Sequence, residues 1–63
     1  MANVLIEVQD QHGMWRRYTE CPNNGGTIKY YLQQAVKSSL ARVSGKARAR
    51  DMETGAVVDM EFA

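Results

Sequence analysis

An antiparallel sheet with one helix packed on a face, in the α+β order ββαββ, is the fold class that three observations predict. Apolar residues alternate near both ends of the chain, at Val4, Ile6 and Val8 and again at Ala47 and Ala49. Between them Ile28, Tyr31, Leu32, Ala35, Val36 and Leu40 recur at the i, i+3, i+4 spacing of one helix face. Clusters of turn formers, Asp10-Gln11-His12-Gly13, Pro22-Asn23-Asn24-Gly25-Gly26 and Met52-Glu53-Thr54-Gly55, separate the periodic segments. A chain of 63 residues in this arrangement is a single small domain over 1–63.

Residues 3 to 9 read as the first strand, with Val4, Ile6 and Val8 on one side and Leu5, Glu7 and Gln9 on the other. Met14 to Cys21, rich in Trp, Tyr and Thr, reads as the second and stops at Pro22, which lacks an amide donor. The register of this hairpin decides where the only tryptophan goes. A four-residue loop sets Trp15 opposite Val8 on the core side and Arg16 opposite Glu7 outside. A three-residue loop ending in a left-handed Gly13 sets Tyr18 opposite Ile6 inside and displays Trp15 beside Arg17. Burial of Trp15 is the favoured expectation, because a large apolar side chain contributes ~1.5 to 3 kcal/mol when fully buried and a small domain has few of them.

Thr27 is the expected cap of a helix starting at Ile28, and Gly45 marks a point by which that helix has ended. Arg42 then lies near the negative end of the helix dipole, and Lys29, Gln33, Gln34 and Lys37 fall mainly on the outer face. Tyr30 is about 100° around the helix from Tyr31, so it lies at the edge of the buried stripe or outside it. An amphipathic ring in that place is a candidate for a partner interface.

Lys46 to Asp51 and Ala56 to Phe62 make the second hairpin. The run Lys46-Ala47-Arg48-Ala49-Arg50 puts its cations on one sheet face and its alanines on the other. A four-residue loop pairs Asp51 with Ala56, Ala49 with Val58 and Ala47 with Met60, and opposes Arg48 to Asp59 and Lys46 to Glu61. Arg50, opposite Val57, is then the free cation. A three-residue loop would oppose Asp59 and Glu61 to the core alanines and bury carboxylates without partners.

Composition narrows the function classes. Eight Lys/Arg against seven Asp/Glu leave a net charge of +1, unlike a dedicated nucleic-acid-binding domain. No apolar run exceeds three residues, against the ~20 needed to span a membrane, and the amino terminus has no basic leader, so no membrane and a cytoplasmic location are expected. Cys21 is the only cysteine and His12 the only histidine, too few for the four ligands of a structural zinc site, and no metal or cofactor is expected.

As nucleophile and base, Cys21 and His12 fall at opposite ends of one hairpin. The carboxylates Glu7, Glu20, Asp51, Glu53, Asp59 and Glu61 mostly belong to turns or cross-strand pairs. Asn24-Gly25-Gly26-Thr27 lacks both glycine-rich phosphate-loop patterns. The expectation is a non-enzymatic chain with no catalytic residues.

A domain of this size buries only about 60% of the surface its unfolded chain exposes, so self-association, as a homodimer, is expected. The fold leaves one sheet face and two edges uncovered, which suits a protein-interaction module. The expected partner surface is Arg16, Arg17, Tyr18, Tyr30, Lys46, Arg48 and Arg50. The alternative is nucleic-acid binding, with the same cations on phosphates and Tyr18 or Trp15 stacked on a base.

Overall fold

In the computed structural model, which describes residues 3–63, the alternating segments become strands β1 (Asn3–Gln9), β2 (Trp15–Pro22), β3 (Lys46–Asp51) and β4 (Val57–Phe62), and the helical stripe becomes α1 (Gly25–Val36). The strands form one antiparallel sheet in the order β2-β1-β3-β4, and α1 packs on one face of it. The core lies between these two layers. Val4, Ile6 and Val8 of β1 are fully buried there with Ala47 and Ala49 of β3, and Ile28, Leu32, Ala35 and Val36 of α1 cover them. Central β1 supplies the large side chains, while the two alanine methyls of β3 leave room for the helix to approach.

The first hairpin takes the three-residue loop, so the expected burial of Trp15 is corrected. Asp10 N–H donates to the Met14 carbonyl (2.8 Å) and Gly13 closes the turn at φ +81°, a left-handed angle that glycine adopts at no steric cost. Trp15 therefore lies opposite Gln9, Arg16 opposite Val8 and Arg17 opposite Glu7. Tyr18 is an extra residue, and beyond this bulge the register becomes Thr19 to Ile6 and Cys21 to Val4. The bulge brings Thr19 and Cys21, rather than Tyr18, to the helix side.

Asn24, not Thr27, caps α1: its Oδ1 accepts from Thr27 N–H at 3.1 Å, and Gly25 and Gly26 occupy the first turn. The helix is shorter than its apolar spacing suggests. Ser38 donates its hydroxyl to the Ala35 carbonyl (2.6 Å) and takes an extended backbone, which ends the α-helical ladder. A 3-10 turn over Ser39–Ala41 follows, burying Ala41 and leaving Leu40 exposed. Arg42 consequently ends this turn instead of α1. Gly45, at φ +63°, donates to the Ala41 carbonyl and leads into β3.

The second hairpin has the expected four-residue loop, with Asp51 N–H donating to the Ala56 carbonyl (2.8 Å) and Arg50 opposite Val57. A bulge at Val58 then shifts every later pair by one: Asp59 faces Ala49, Met60 faces Arg48, Glu61 faces Ala47 and Phe62 faces Lys46. The expected pairs Arg48–Asp59 and Lys46–Glu61 are therefore not formed. The anticipated penalty for carboxylates on the helix side is not incurred, because β4 is an edge strand on which Asp59 is exposed and Glu61 only half-buried.

Candidate protein-interaction surface

Alternation and the observed registers place three rows of side chains on the sheet face away from α1. Trp15, Gln9, Lys46 and Phe62 form the first, Arg17, Glu7, Arg48 and Met60 the second, and Glu20, Leu5, Arg50 and Val57 the third. Val57, Met60 and Phe62 are exposed, whereas Trp15 and Arg48 are half-buried.

Glu7 organises the centre of this face. Its Oε1 accepts from Arg48 Nε at 2.9 Å and from Arg50 Nη1 at 3.4 Å, with Glu7 itself only 8% exposed. Arg48 reaches past Glu7 to lie 4.1 Å from the centroid of the Trp15 ring, a cation–π contact that contributes about 0.5 to 2 kcal/mol depending on its exposure. Arg50 Nε also donates to the Gly55 carbonyl (3.3 Å). Two guanidiniums are thus held in fixed orientations by one carboxylate and one ring.

The other expected surface residues divide by location. Arg17 is on the open face, exposed and paired with Glu20. Lys46 is also there and exposed, and forms no ion pair among the described residues. Tyr18 sits at the β2 bulge. Arg16 lies on the helix side, where its Nε donates to Asp10 Oδ2 at 2.9 Å. Tyr30 is 58% exposed on α1, edge-on to Tyr31 with ring centroids 5.4 Å apart, and belongs to a different surface. Arg17, Lys46, Arg48 and Arg50 are therefore the expected residues that the fold brings together.

Glu7 as the shared counterion, and the exposed Met60 and Phe62 beside the cations, escaped the sequence reading. Both follow from the central β1–β3 pairing and the β4 bulge, for which the chain carries no local signal. Trp15 on the open face did have one, in the glycine at position 13.

Arg16 and the turn amides hold the Asp10 carboxyl down at about 2, against an ordinary 3.8. The Arg16 hydrogen bond is the largest cause, and the Met14 and His12 amides add to it against the opposing effect of burial. At the far end of β2, burial alone pushes the Cys21 thiol up. His12 is exposed in the first turn, so the hairpin keeps it away from Cys21. Among the described residues, no three His, Cys, Asp or Glu side chains converge as metal ligands would. Among the described residues, no helix is long and apolar enough to cross a membrane.

Fold and surface together define a small α+β domain, one helix on one antiparallel sheet, whose uncovered face carries a basic and aromatic cluster tied to a buried carboxylate. Comparisons with protein-family models, with curated proteins and with solved structures return no match.

Proposed function

We propose that this chain is a small non-enzymatic protein-interaction module of the cytoplasm, which self-associates and binds a second protein through the open sheet face. One observation carries the reading: Arg48 is stacked on Trp15 and hydrogen-bonded to Glu7 at the middle of a face edged by exposed Met60, Phe62 and Val57. Trp, Arg and Met are the side chains enriched at interface cores, and Trp and Arg dominate binding hot spots. Arg48 already makes its contacts to Glu7 and Trp15 in the free protein, and a side chain held in this way loses less rotamer entropy when a partner covers it. A single unpaired thiol fits a reducing compartment.

Nucleic-acid binding is the second reading, favoured by the aromatic and basic platform itself. Against it, a phosphate arriving at Arg48 and Arg50 would have to compete with the Glu7 carboxylate already between them.

The test is affinity capture from the native cell with and without nuclease, comparing the wild type with Arg48→Ala and Tyr30→Ala. A nuclease-resistant protein partner is expected, with recovery at least about tenfold lower on Arg48→Ala, the loss of a hot spot of ~1.4 kcal/mol or more. Tyr30→Ala should recover it fully. Equal recovery on Arg48→Ala would sink the open-face reading. Recovery abolished by nuclease, and weakening steeply with salt, would favour nucleic acid.

A further inference from the structure

Strands β2 and β4 are the two edges of the sheet, and each presents unpaired backbone groups to solvent. Val57, Val58, Met60 and Phe62 are all exposed on β4, which makes that edge a template for another strand. Its charges say which strand. Pairing β4 with itself about a two-fold axis keeps helix side against helix side, so Asp59 and Glu61 of one copy would face Asp59 and Glu61 of the other. Like charges directly opposite are destabilising, so that dimer is disfavoured.

The opposite edge presents two cations, each ion-paired within its own chain, Arg16 to Asp10 and Arg17 to Glu20, yet both largely exposed to an incoming strand. Arg16 projects on the helix side of β2 and Arg17 on the open side. Beside Arg16 runs a groove of about 510 Å³, lined in part by His12, Arg16, Arg17 and Arg42, with Asp10 the only acid among the described residues that line it.

We propose that β4 of one copy pairs antiparallel with β2 of the next, head to tail, deepening the self-association half of the proposed function. Every neighbouring pair in the sheet is antiparallel, so β2 and β4 run in opposite directions, and a second copy added in the same orientation continues the pattern. The register follows from the rows. Trp15 and Phe62 end one row, Arg16 and Glu61 the next, and Arg17 and Met60 the third. Extending each row by one copy sets Phe62 against Trp15 and Met60 against Arg17 on the open side, and Glu61 against Arg16 at the basic groove. The bulges at Tyr18 and Val58 fall outside this stretch. Because each added copy leaves one β2 and one β4 edge free, the contact is heterologous and does not close at a dimer.

Sedimentation velocity on the whole chain, from micromolar to millimolar concentration, tests this with charge exchanges that leave Trp15 and Arg48 in place. The wild type should gain mass continuously with concentration. Glu61→Lys and Arg16→Glu should each weaken association at least tenfold, and an equimolar mixture of the two, or the double variant, should restore it. Circular dichroism checks each fold, since Arg16→Glu sets a carboxylate beside Asp10. Should that variant unfold, Arg16→Gln serves, with loss of association that Glu61→Lys does not rescue. A monomeric wild type overturns both this pairing and the self-association reading. A mass that levels off at a dimer, or association strengthened by Glu61→Lys alone, overturns the head-to-tail pairing while self-association stands.

Discussion

A single carboxylate builds the first turn. Asp10 Oδ1 accepts from the amides of His12 (2.9 Å) and Met14 (3.0 Å) while Oδ2 accepts from Arg16. Its pKa falls from 3.8 to about 2 on folding, so the unfolded chain binds this proton more tightly than the folded one. The resulting stability is complete above the unfolded value and is lost as pH falls through the folded one. Asp10→Asn should therefore melt below the wild type at neutral pH, and the gap should close between roughly pH 4 and pH 2 in thermal scans monitored by circular dichroism. A gap constant across that window would refute the assignment. Cys21 gives a second residue-scale expectation. Buried to 3% exposure with its pKa raised, it should react with a thiol reagent only as the domain opens, so the labelling rate should follow the unfolded fraction through a denaturant titration.

Between the elements, the decisive contact is Glu7 with Arg48 and Arg50, which ties β1 to β3 on the open face. Glu7→Gln removes the charge from a nearly buried acceptor and should cost about 1.5 to 3 kcal/mol, measured by urea denaturation. It also releases two guanidiniums, so binding of a polyanion such as heparin should strengthen; unchanged binding would mean that Glu7 does not hold the cations in check. This contact marks the limit of what the sequence conveys. Alternation at Val4, Ile6 and Val8, the stripe from Ile28 to Val36 and the turn residues were enough for strands, helix and their order, because each is a local period. Strand neighbours and bulges are not local. One extra residue at Tyr18 and another at Val58 exchange the faces of everything beyond them, and neither position differs in composition from its surroundings. The sequence-adjacent strand therefore offers Asp59 as the Arg48 partner, whereas the spatial neighbour on the other side supplies Glu7.

At the scale of the whole molecule, the core is one layer deep and rests on few large side chains, chiefly Ile6, Leu32, Val4 and Val8. Truncating Ile6 to Ala should cost about 2 to 5 kcal/mol. A domain of this length has a total of roughly 3 to 9 kcal/mol, so Ile6→Ala should remove about half of its stability, read by circular dichroism as a much lower urea midpoint. The same sheet also orders events in time. Each hairpin joins neighbouring segments and can close within about 10 µs, whereas the β1–β3 seam joins residues 41 apart, Glu7 and Arg48, and must wait for the intervening helix region to bring them together. Substitutions at the seam such as Ile6→Val should slow folding, and those on the outer edge such as Val57→Ala should mainly hasten unfolding. The measurement needs no added label. Trp15 comes from one hairpin and the cation stacked on it from the other, so its fluorescence in a stopped-flow instrument is a natural clock for the moment at which the two halves of the chain meet.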